Sequence, residues 1–97
     1  MHETFLALLT DLHQSIDRVA EDLSRDRPDL AVALRSQAAW IPRPEEIPEP
    51  PPDNAQRACR RLRPLLYRAL DEGVLDGKQF DRMMMRQVQA RRALGRR

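Results

Sequence analysis

The chain has 97 residues, 41% of them hydrophobic and 33% charged, with a formal net charge of +2. This mixture is too apolar for wholesale disorder. The length allows one domain at most, and a body of that size buries only about 60% of the surface its unfolded chain exposes. With Phe5, Trp40, Tyr67 and Phe80 as its aromatic residues, the core is marginal, and support from a partner chain is expected.

The single cysteine, Cys59, excludes an internal disulfide, so a reducing cytoplasm is the expected location. No run approaches the ~18 apolar residues of a membrane span, and no basic leader precedes a hydrophobic stretch. The protein is expected to be soluble, with no membrane span.

Charge divides the chain. Residues 1–53 carry five arginines against eleven acids, net −6, whereas residues 54–97 carry twelve Arg or Lys against four acids, net +8. Either the halves attract and dock on each other, or the basic half meets an anionic partner.

In chain order, Phe5, Leu9, Leu12, Ile16, Val19 and Leu23 recur in alternating steps of four and three, the apolar edge of a helix. Leu6, Leu8 and Ala20 widen that edge beyond a two-stranded coiled coil, which predicts a small bundle. Pro28 interrupts the pattern, because its ring removes an amide donor and clashes with the preceding turn, but it suits the first turn of a new helix. A second helix over 28–39, with Leu30, Leu34 and Ala38 inward, folds back on the first. One long helix kinked at Pro28 is the alternative.

Six of the eight prolines fall in residues 41–53, which predicts an extended connector able to reach about 35–40 Å at ~3.1 Å per residue. Trp40 and Ile41 are expected to pin its start to the core. The spacing of Pro42, Pro44 and Pro48 also loosely suits partner grooves that read proline-rich segments.

Asp53 and Gln56 stand at capping-box spacing and open a third helix. Its apolar stripe runs through Ala55, Ala58, Cys59, Leu62, Leu65, Leu66, Ala69 and Leu70. Pro64 either kinks this helix or divides it in two. Gly73 suits the left-handed position that ends a helix, with Val74 or Leu75 folding back. Asp76 and Gln79 repeat the capping box, and a fourth helix runs to Leu94 with Gly95 as its stop.

The stretch from Leu66 to Val88, with Gly73, Val74, Leu75, a polar cap at Asp76 and Phe80, resembles the short C-terminal helical hairpin called the SHOCT domain. Gln79 stands where that family usually has Glu, Met84 where it has Lys and Ala69 where it has Leu. The resemblance implies a hairpin associated with oligomerisation or tethering, with no catalytic residues. Any helix-turn-helix that obeys the capping rules converges on the same pattern.

The sequence therefore predicts an all-α fold: a small helical bundle of two helical hairpins, about four helices, joined by a Pro-rich extended linker. In domain terms it is a single small helical domain over 1–97, with an acidic hairpin over 3–40, a linker over 41–53 and a basic hairpin over 54–95.

Catalysis is not expected. His2 and His13 have no partner at metal-ligand spacing, Cys59 lies on an apolar stripe, and no phosphate-binding glycine loop is present; no cofactor or metal is expected. The preferred function is a non-enzymatic helical accessory or adaptor protein that binds a larger acidic partner, or itself, through the basic hairpin.

Met83, Met84 and Met85 span about 200° of helix circumference, more than an edge set by Phe80 and Val88 can absorb. Together with Arg82 and Arg86 they are the candidate partner-binding residues. Arg57, Arg60, Arg61, Arg68, Arg91 and Arg92 are candidate contacts to phosphate or to an acidic partner.

The alternative is a sequence-independent nucleic-acid-binding subunit of a nucleoprotein complex, or a small inhibitor of one. Against it, Tyr67 is the only aromatic among the arginines along the sequence, which leaves no stacking platform.

Overall fold

The structure is a computed structural model that describes residues 2–43 and 53–95, the side chains of residues 2–4 and 53 excepted. Four helices follow in order: α1 (His2–Leu23), α2 (Pro28–Ala38), α3 (Asp53–Asp71) and α4 (Gly77–Gly95). Among the described residues there is no strand, and no helix is long and apolar enough to cross a membrane. The all-α small bundle expected from the periodicity is the observed fold.

Each helix packs on its neighbour in sequence, and α4 closes back onto α1. Cross-contacts fix the directions. On α1 and α2, Glu21 meets Arg35 and His13 meets Ile41, so higher numbers on one helix face lower numbers on the other. On α3 and α4, Tyr67 meets Phe80 and Gln56 meets Arg91. Both pairs are antiparallel hairpins, which settles Pro28 as a break: α1 ends at Leu23, and Pro28 takes the first turn of α2.

The α1 edge becomes the centre of the core. Leu9, Leu12, Ile16 and Ala20 are fully buried, in one cluster with Leu30 and Leu34 of α2, Ala58, Cys59, Leu62 and Leu66 of α3, and Ala90 of α4. The one small core forms because α3 turns alanines and a cysteine inward, letting the helix approach closely.

Burial pushes the Cys59 thiol up to about 12, against a smaller opposing influence from the Arg91 charge. The side chain behaves as a small hydrophobe, with no thiolate available at neutral pH. Gln87 is also fully buried, and neither polar atom of its amide has a partner among the described residues.

Pro64 lies inside an unbroken α3. It sits on the exposed face, where water can serve the carbonyl that loses its donor.

The α3–α4 corner follows its local sequence closely. Gly73 has φ +77°, its amide donates to the Leu70 carbonyl and the Val74 amide donates to the Ala69 carbonyl, the paired bonds of a Schellman stop. Leu75 supplies the buried apolar contact. The Gln79 amide then donates to Asp76 Oδ1 at 2.7 Å, and the Asp76 amide to Gln79 Oε1 at 3.1 Å, closing a capping box.

One expectation gains a contact and one needs correction. The Gln56 amide donates to the Arg91 carbonyl at 3.2 Å and ties the two ends of the hairpin together. The Asp53 side chain lies outside the described residues. Trp40 does not pin the connector to the core, since it is 54% exposed while Ile41 is 2% exposed. Ile41 does so, its carbonyl accepting from His13 Nε2 at 3.1 Å.

Residues 44–52 of the proline segment lie outside the described residues. Their flanks do not, and Trp40 and Asn54 line one pocket, so the two helices to be joined meet at the same end of the bundle. A reach along its full length is not required.

Candidate anion-binding surface

The basic half divides into arginines that the fold uses and arginines that it leaves free. Asp11 on α1 faces α4 between two helical turns. Arg82 Nη2 donates to its Oδ1 at 3.0 Å, and Arg86 Nε lies 2.9 Å from its Oδ2, a charge contact off the hydrogen-bond line. At the far end of the molecule Arg27 pairs with both Asp29 and Glu72, linking the start of α2 to the end of α3. The two halves dock on each other at both places, an acid of the acidic half meeting arginines of the basic half at Asp11 and the polarity reversed at Arg27–Glu72.

The candidate residues around the methionines are not gathered into one surface. Met83 is 3% exposed and belongs to the core; Met84 is half-buried against it; Met85 alone is open, 59% exposed. A single exposed methionine is ordinary for a protein surface. One turn of helix spreads the three side chains to the core, the α4 flank and solvent.

Arg57, Arg60, Arg61, Arg68, Arg91 and Arg92 form no ion pair among the described residues, nor does Arg63; Arg96 and Arg97 lie outside them. Four of these gather at one end of the bundle. Arg57, Arg60 and Arg91 line one pocket with Gln56, and Arg57 and Arg61 line a second with Gln37, Trp40 and Asn54. Arg57 is common to both. The helical register of α3 puts residues 57, 60 and 61 on one exposed face, and the Gln56–Arg91 bond brings the last turns of α4 beside them.

Nothing in the linear order of residues associates Trp40 with these arginines. Trp40 is seventeen positions from Arg57 in the chain, and only the antiparallel packing of α2 on α3 brings it to the same pocket. The expectation of no stacking platform among the arginines is overturned, because an exposed indole stands beside Arg57 and Arg61.

Among the described residues, those lining the surface include no His, Cys, Asp or Glu. His13 is buried elsewhere, and among the described residues no group of three His, Cys, Asp or Glu side chains could hold a metal ion. The arrangement presents positive charge, amide groups and one aromatic face, the means of binding an anion. Comparison of the chain with protein-family models, with curated proteins and with solved structures finds no match.

Proposed function

We propose that the chain acts without catalysis as a small helical accessory protein that docks an acidic partner through the arginine face of α3 and the last turns of α4, in the cytoplasm. One observation carries this reading: Arg57, Arg60, Arg61 and Arg91 surround two adjoining pockets with no carboxylate paired to them among the described residues.

Like charges at i,i+3 and i,i+4 disfavour a helix by about 0.2–0.5 kcal/mol per pair. Arg57 with Arg60 and Arg57 with Arg61 are two such pairs on α3. An anionic partner relieves that repulsion and is steered by the same field. Arg82 and Arg86 enter this reading as bundle residues, being already engaged by Asp11. A tethering role agrees with what the SHOCT resemblance implies for the α3–α4 hairpin.

The test is retention on immobilised heparin and on immobilised polyglutamate. Arg57→Glu/Arg61→Glu should elute at markedly lower salt than the parent. Arg18→Glu/Arg25→Glu, the same charge change on α1 and the turn that follows it, should elute close to it. Equal shifts for the two doubles would leave only net charge at work and refute a localised surface.

A further inference from the structure

Between the last turn of α2 and the first turns of α3 lies a notch of about 110 Å³ lined by Gln37, Trp40, Asn54, Arg57 and Arg61. Trp40 is 54% exposed there. Oε1 of Gln37 is out of water and has no hydrogen-bond partner among the described residues. We infer that this notch is a subsite for single-stranded nucleic acid, in which one unpaired base stacks on Trp40 while the flanking phosphates lie on Arg57 and Arg61. The inference rests on the arginine face being the docking surface, and it names the class of partner.

Two features favour nucleic acid over an acidic peptide. Every base offers a π-face to an exposed indole, whereas carboxylate side chains offer none. Arginine forks suit phosphate oxygens, and Arg57 and Arg61 stand one turn apart, about 5–6 Å between Cβ atoms. Arg60 and Arg91 in the adjoining pocket extend the same basic track.

The single strand follows from the indole. In a duplex the base faces are already stacked on one another, so only the arginines would find a partner. The notch is far below the ~300 Å³ of pockets that enclose a small molecule. The base is therefore held by one face at the mouth, and binding tolerates any sequence.

Trp40 is the only tryptophan, so its fluorescence reports the site directly. The full chain is titrated at low and moderate salt with four probes: a dozen-nucleotide thymidine DNA, the matching uridine RNA, an abasic strand with the same phosphates, and a polyglutamate peptide of equal charge. The DNA and RNA should quench Trp40 and bind in a salt-dependent way. The abasic strand should bind more weakly without quenching.

Trp40→Ala should lose about tenfold or more in affinity for the base-bearing strands, read by labelled-strand anisotropy, with no change for the abasic strand. Trp40→Phe should restore part of the loss. Arg57→Ala/Arg61→Ala should weaken all strands alike.

If polyglutamate binds through the same arginines but no strand quenches Trp40, the docking surface stands and the nucleic-acid subsite is refuted. Equal affinity for abasic and base-bearing strands, or a Trp40→Ala variant that binds both as the parent does, also refutes stacking. If no anion binds at low salt, both readings fall together.

Discussion

The seam between α1 and α4 and the open end of the seam between α2 and α3 both bring the acidic half of the chain against the basic half, yet they treat arginine in opposite ways. On the first, Asp11 meets Arg82 and Arg86 while Met83 beside them is buried. On the second, Arg57 and Arg61 meet Trp40 and Gln37, which carry no charge to neutralise them. Arginines drawn from one basic half are structural glue in one place and a free surface in the other. What stands across the groove decides, and net charge does not.

The largest expected contrast is between Met83 and Trp40. Met83→Glu would put an unpaired carboxylate into a core position that is 3% exposed, at a cost of about 3–5 kcal/mol, a large part of the ~5–15 kcal/mol available to a domain of this size. The variant should lose its cooperative urea transition. Trp40→Glu, on an exposed position, should shift stability by about 0.5 kcal/mol or less. Similar loss of helicity by circular dichroism in both variants would mean that the two seams do not differ as described.

Gln87 tests the closed seam from within. An amide with both polar atoms buried and unpartnered costs about 1–3 kcal/mol, and an unbranched apolar side chain of similar length removes that cost. Gln87→Met should therefore raise the urea midpoint, by about 1–2 kcal/mol of stability. A lowered midpoint would show that the amide is satisfied by water in solution.

A smaller effect is expected at Asp11, where the partner arginines are 64% and 37% exposed, so solvent screens much of the attraction. Asp11→Asn should cost about 0.5–1 kcal/mol, less at high salt. It should also raise retention on immobilised polyanion, because two guanidinium groups are released. Arg57→Gln/Arg61→Gln should do the reverse, leaving stability nearly unchanged and lowering retention. Parallel behaviour of the two variants in both assays would erase the distinction between used and free arginines.

How much of this was readable in advance depended on range. The α1 edge and the Gly73 stop with its Asp76–Gln79 box are written in spacings of three and four residues, and each forms as its local chemistry demands. Pro64 was ambiguous because its cost depends on whether the face it occupies is wet, which is a fact of packing. Trp40 and Ile41 are adjacent and both bulky and largely apolar, and only the docking of α2 on α1, with His13 reaching the Ile41 carbonyl, decides which one turns inward. The sorting of the arginines was unreadable for the same reason. It is set by the register in which α4 lies on α1 and α3 on α2.

His13 links the two regions and carries the smallest predicted effect. Its Nε2 lies 3.1 Å from the Ile41 carbonyl oxygen and 3.3 Å from that of Pro42. Both partners are acceptors, so the proton belongs on Nε2, and Nδ1 is buried with no partner among the described residues. Burial first, and the Arg43 charge second, hold the imidazole below its ordinary value of 6.5, while the two carbonyl contacts and Asp17 pull weakly the other way.

Between the folded and unfolded values the unfolded chain takes up a proton that the folded one refuses. The stability associated with neutral His13 is thus complete above about pH 6.5 and is lost progressively as pH falls through the depressed folded value. Thermal melts from pH 8 to pH 5 should show this decline in the parent. It should be shallower in His13→Gln, which keeps a donor for the Ile41 carbonyl and cannot titrate.

Arg43→Gln should lift the folded value toward 6.5 and reduce the loss, whereas Asp17→Asn should deepen it. If all four proteins show the same pH dependence, the acid response comes from carboxylates elsewhere. His13 is then only a neutral tether for the end of α2 that presents Trp40.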